Sequence, residues 1–227
     1  MTLKQRVAKI DELLKRDFPT VETPLDHTSA FTLLVAVALS AQTLDTTVNK
    51  VTPALWHKYP TMQDLAKASV KDVEEIIRLV NFYRNKSRNI IALSQMLISN
   101  FNSTVPYKME ELITLPGIGR KTANVVINEW FGKGKQPGVP RIEPVGFVVD
   151  THVKRVANRL GLTKYSDPVD VEQDLMKLFP RSEWDDTSLR MIFHGRFMCT
   201  ARNPKCINDT EWSKICGCVK EIKAKKK

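Results

Sequence analysis

Leu112 to Val125 reads Leu-Ile-Thr-Leu-Pro-Gly-Ile-Gly-Arg-Lys-Thr-Ala-Asn-Val, and this stretch constrains the chain more than any other. An apolar helix end runs into Leu115-Pro116-Gly117-Ile118-Gly119, where glycines permit a tight turn with positive φ and leave main-chain N–H groups bare. A second helix is predicted from Arg120 to Phe131. Helix, glycine hairpin, helix aims unpaired N–H donors at an anion, which is a phosphate-binding arrangement. Arg120 and Lys121 fall in the first turn of the second helix, where cations oppose the helix dipole. An anionic partner would compensate. A helix start also disfavours the ammonium form, and a lysine relieved of its proton is a nucleophile toward a sugar or carbonyl carbon. A solvated lysine at a helix end is the plainer alternative, and the residues alone leave both open.

The charge balance supports an anionic partner. The 227 residues carry a net charge of +10, most simply matched by nucleic acid. The apolar run Phe31 to Leu39 is far too short to span a bilayer, so no membrane partner is expected. The first 17 residues mix Lys, Arg, Asp and Glu and lack the apolar core of a signal peptide. The expectation is an intracellular, cytoplasmic protein, nucleoid-associated if bacterial. All 4 cysteines lie between Cys199 and Cys218. In a reducing compartment such clustering argues for a metal rather than disulfides.

Periodicity makes the chain close to all-α, with almost no period-two alternation. Val7, Ile10, Leu13 and Leu14 share one face of a first helix over 1–16. Ser29 to Ser40 is apolar nearly all round and should be a buried helix. Asp45 is expected to cap the next helix. Further helices are read over 70–80, 85–100 and 109–115. Residues 132–146, rich in glycine and proline and carrying Lys133, Lys135 and Arg141, read as an exposed, mobile, basic loop. Asp150 opens a helix after the extended Phe147-Val148-Val149. Asp167-Pro168 starts another, cap then proline at the first position, and 185–197 forms the last long helix. A lysine-rich tail ending in Lys225-Lys226-Lys227 is expected to be disordered.

Three blocks together carry a resemblance. They are Leu115-Pro-Gly-Ile-Gly-Arg-Lys121-Thr-Ala-Asn-Val-Val126, Val149-Asp150-Thr151-His152-Val153 running to Leu162, and His194-Gly195-Arg196 followed by Cys199-x6-Cys206. The chain resembles the endonuclease III branch of the helix–hairpin–helix DNA glycosylases, over nearly its whole length. The resemblance implies two helical domains with an interdomain cleft. One would cover 24–134 and hold the hairpin. The other would join 1–23 to 135–227 and carry a C-terminal Cys cluster loop.

The resemblance also implies site residues. The family's catalytic lysine falls on Lys121 and its aspartate on Asp150. Lys121 would attack C1′ of a flipped-out damaged nucleotide and form an imine, with Asp150 helping to deprotonate it. Gln42 matches the residue that fills the hole left by the flipped base, and Phe82 the apolar wedge. Asn81 departs from the glycine the family pattern suggests there. Leu115, Gly117, Ile118, Gly119 and Arg120 would bind the DNA backbone. His152 and His194 read as structural partners. The implied activity is a bifunctional DNA glycosylase and abasic-site lyase in base excision repair, acting on oxidised pyrimidines in double-stranded DNA as a monomer. A mismatch or alkylated-base glycosylase of the same superfamily, or a non-catalytic DNA-binding module, are the alternatives.

The family pattern for a [4Fe–4S] cluster is Cys-x6-Cys-x2-Cys-x5-Cys. Here Cys199 and Cys206 fit, the third position is Asp209, and the remaining thiols are Cys216 and Cys218. Four thiolates in one segment suit an iron–sulfur cluster with a reshaped loop, with zinc or no metal as alternatives.

Overall fold

A computed structural model describes residues 1–218, and among these the chain is helical with no β-strand. The all-α expectation holds. The lysine-rich tail read as disordered lies beyond the described residues. The helices group into two compact units, Met1–Glu22 with the residues from Gly146 on, and Thr23–Val145.

Helix α1 (Leu3–Asp17) begins at Thr2, whose hydroxyl accepts from Gln5 N while the Gln5 side chain returns to Thr2 N. This reciprocal pairing satisfies two of the donors that a helix start leaves bare.

The Thr23–Val145 unit is built around α2 (Ala30–Ser40). Eight of its 11 residues are buried. A helix apolar on all sides must be surrounded, and α3 (Asp45–Lys58), α6 (Tyr83–Asn100) and α8 (Arg120–Val126) all pack on it. Shorter helices α4 (Met62–Ala66), α5 (Val70–Ile76) and α7 (Met109–Leu112) complete the unit. Leu33, Leu34 and Leu39 are fully enclosed, each worth roughly 1.5–3 kcal/mol of burial. Helix α8 runs on directly into a π turn, Ile127–Gly132.

Two expectations are corrected in this unit. Asp45 is not the cap of α3. Leu44 occupies the cap position with no side-chain bond, and Asp45 lies in the first turn, where its charge suits the dipole. The 132–146 segment is not a free loop. Val139, Ile142 and Val145 pack against the core, and Ile142 N donates to Phe131 O at 3.3 Å. Lys133 and Lys135 both pair with buried Glu129, at 2.9 and 2.7 Å, and Arg141 Nε donates to Gly132 O. Its cations serve the fold because an enclosed carboxylate needs them.

In the other unit, Ile10, Leu13 and Leu14 of α1 share a core with α9 (Thr151–Arg159), α10 (Pro168–Leu178) and α11 (Trp184–Phe193). Asp167 caps α10 through Val169 N, with Pro168 in the first turn. A π turn, His194–Met198, continues α11, and the short α12 (Trp212–Ile215) follows. Trp212 donates to Asp17 Oδ2 at 2.7 Å and so ties the C-terminal segment to α1.

Candidate active site and metal centre

The hairpin between α7 and α8 forms as its glycines require. Gly117 sits at φ +78°, and a Cβ there would lie 2.8 Å from the Asn89 amide nitrogen. Gly119 is the cap residue of α8 and is exposed. The side chains of Leu115 and Ile118 are buried in the core, so the hairpin offers main-chain groups, not these side chains, to a ligand. Arg120 is exposed. Lys121 is exposed and makes no hydrogen bond or ion pair among the described residues. A lysine held only by its main chain keeps its amine available for chemistry.

Asp150 belongs to the other unit and begins α9. Its Oδ1 accepts from both His152 N and Val153 N, each at 2.8 Å. Oδ2 accepts nothing among the described residues. One oxygen therefore serves the helix and the other stays open for a ligand. Beside it, burial lowers the pKa of His152, and its Nδ1 meets the Arg155 guanidinium at 3.2 Å.

Gln42 and Phe82 are both exposed and both left-handed, at φ 56° and 57°. For a non-glycine residue this conformation costs on the order of 1 kcal/mol, so the surroundings must hold each in place. Those surroundings include Lys86, a residue the sequence reading passed over. Its ammonium donates to Leu39 O at 2.8 Å, Ala41 O at 2.6 Å and Thr43 Oγ1 at 3.2 Å. Burial pushes its pKa down to about 8. A signal was present: Lys86 falls on the face of α6 that carries Ile90, Leu93 and Leu97, and a lysine at a core position calls for acceptors.

The four cysteines converge. All are buried, and their sulfurs lie within 4.8 Å of one another. Cys199 ends the π turn after α11, Cys206 lies in a 3₁₀ turn, and Cys216 and Cys218 follow α12. Gly217 allows this ending. Its N–H meets Arg159 O at 2.6 Å, and a Cβ would stand 2.9 Å from that oxygen. Arg159 Nη1 also donates to Cys199 Sγ at 3.4 Å, a contact that favours a thiolate. Hydrogen bonds with Cys199 and Cys206 lower the Cys216 thiol to about 5, while Cys206 is pushed up by bonds with Cys199 and Cys216. A buried, four-sulfur donor set fits a thiolate-bound metal centre. Asp209, at the family's third ligand position, is used otherwise: its Oδ1 accepts from Glu211 N and Trp212 N, and its Oδ2 pairs with Arg16.

His194 is fully buried against Trp212, with ring centroids 4.2 Å apart. Neither of its nitrogens has a hydrogen-bond partner among the described residues, so its visible role is packing.

Residues 35–181 match the family described as HhH-GPD superfamily base excision DNA repair protein. The endonuclease III of Synechocystis sp. is 46% identical over 203 residues, covering 89% of this chain and 88% of its own length. That of Bacillus subtilis is 44% identical over 190 residues, covering 83% and 82%. A solved structure of a trapped endonuclease III–DNA covalent intermediate matches with a TM-score of 0.87 and 41% identity, over 98% of this chain and 100% of that one. Identity of this order over most of the length, spanning the hairpin lysine and the aspartate that starts α9, places the chain in the endonuclease III family, the DNA glycosylase/lyase enzymes of the HhH-GPD base excision repair superfamily.

Proposed function

We propose that this glycosylase/lyase removes oxidised pyrimidines from double-stranded DNA and nicks abasic sites, as a monomer, with Lys121 as nucleophile and Asp150 as its base. The observation that carries the reading is the exposed, unpartnered amine of Lys121 in the first turn after the glycine hairpin. It is supported by a relative trapped as a covalent intermediate with DNA. Lys121 Nζ, neutral after giving a proton to Asp150, attacks C1′ of the damaged nucleotide, and the bond from C1′ to the base breaks. The base leaves with a proton. The sugar ring opens to an imine, which acidifies the 2′ proton. Loss of that proton expels the 3′ phosphate by β-elimination and cuts the strand. Gln42 fills the space the base vacates, and Phe82 props the stack open. Main-chain donors of the hairpin and the Arg120 side chain hold the phosphates.

Cys199, Cys206, Cys216 and Cys218 would hold a [4Fe–4S] cluster. When bound it fixes the C-terminal segment and takes no part in the reaction. An iron–sulfur absorption band after anaerobic purification supports this. A colourless protein with one zinc per chain would instead assign the thiolates to a single tetrahedral ion, the geometry that sulfurs within 4.8 Å of one another match as they stand.

Borohydride trapping on an abasic duplex tests the central assignment. A covalent adduct is expected with the native chain and none with Lys121→Gln; an adduct that survives the substitution refutes it. A panel of duplexes carrying oxidised pyrimidines, alkylated bases or mismatches tests the lesion class.

A further inference from the structure

Gln42 and Phe82 lie in two different loops, residues 41–44 after α2 and residues 77–82 before α6. Each sits in a backbone conformation that an ordinary residue avoids. Two exposed side chains that are to enter a base stack together must have their loops fixed to one another. Lys86 touches both loops. Its main-chain N–H donates to Phe82 O at 3.1 Å. Its ammonium spends all three protons on the other side, on Leu39 O, Ala41 O and Thr43 Oγ1.

Leu39 O and Ala41 O belong to the end of α2, where the last carbonyls have no partner within the helix. A cation suits that end of the dipole. Lys86 thus supplies, from a distant helix, the termination that α2 lacks. Thr43 Oγ1 is a second junction, since Asn81 N also donates to it at 3.1 Å. The Asn81 amide then donates to the carbonyl of Gln42 itself. A glycine at 81 has no side chain to make that bond.

We propose that Lys86, assisted by Asn81, is a positioning residue that locks the Gln42 and Phe82 loops into one two-pronged unit for opening the base stack. This rests on the reading of Gln42 and Phe82 as the residues that enter DNA. Lys86 touches no substrate atom and acts through the carbonyls it holds. A prong displaced by about an ångström is expected to lose on the order of a hundredfold in rate. The loss should appear only where a paired stack must be opened.

The test compares excision of an oxidised pyrimidine from a fully paired duplex with borohydride trapping on an abasic single strand, which has no stack to open. Lys86→Met is expected to lose on the order of a hundredfold on the duplex and to stay near the native level on the single strand. Asn81→Gly should show the same pattern with a smaller loss, and it decides the matter if Lys86→Met does not fold. Combined with Phe82→Ala, either variant should add little, because both damage one device. Equal losses on both substrates, or full additivity with Phe82→Ala, overturn the proposal. Native duplex activity in Lys86→Met and Asn81→Gly, with Phe82→Ala and Gln42→Ala impaired, overturns it while leaving the prongs' role intact. Silence of Phe82→Ala and Gln42→Ala removes the prongs' role, and the clamp proposal with it.

Discussion

The two units close their interiors by different means. The Thr23–Val145 unit packs its helices around α2, whose buried residues are alanine, valine and leucine. The other unit ends on four sulfurs within 4.8 Å of one another, beside a buried Trp212. The first core needs nothing but the chain. The second gathers groups that repel once ionised, a donor set consistent with a thiolate-bound metal centre. The hairpin's unit thus closes on aliphatic packing around α2, while residues 199–218 close on a four-sulfur donor set.

With the proposed metal centre filled, removing its metal should give the largest effect. Because ligand binding to such a site is itself folding free energy, chelation under reducing conditions is expected to abolish amide-exchange protection across 199–218 while leaving 30–39 protected. Equal loosening of both segments would break the comparison. Leu33→Ala comes next. It empties a site with no solvent exposure in α2 and should cost about 2–5 kcal/mol, read from the denaturant midpoint, with 30–39 losing protection first. A shift below ~1 kcal/mol would show that α2 is not the organising helix.

The smallest effect concerns Glu129. Burial works against its charge, but Lys135 and Lys133 overcome this and hold its pKa below the ordinary 4.5. A carboxyl whose folded pKa is depressed contributes stability that is complete above 4.5 and fades as pH falls through the lower folded value. Because both lysines are partly exposed, Glu129→Gln should cost about 1–2 kcal/mol at neutral pH. Acid titration of the variant should then show a shallower loss below 4.5 than the native chain. Identical acid profiles would remove the ion triad from the account.

What the sequence made legible was local. Asp167-Pro168 before an apolar run announces a helix because the cap acts within three residues. The hairpin and Lys121 were readable for the same reason. The Asp45 cap was a local misplacement by one residue, whereas the misreading of the 132–146 segment depended on partners out of sight. Lys133 and Lys135 looked like solvent charges because nothing marks Glu129, in an apolar helix, as their buried acceptor. Lys86 carried no flag of its own because two of its three acceptors are main-chain carbonyls more than forty positions earlier, and carbonyls carry no residue signature. At the cysteines the spacing alone could not say that the Asp209 carboxylate accepts from the amides of Glu211 and Trp212, leaving the final thiolate to come from beyond α12.

The way Asp150 is held has a last implication. An aspartate on a free loop would swing about its side-chain bonds and pay entropy each time it was brought to bear. Here two amides grip one oxygen of the carboxylate before any DNA arrives. The direction of the remaining lone pairs is thus settled when α9 forms, so in the proposed reaction the cost of aiming is met once per folding event, not once per turnover.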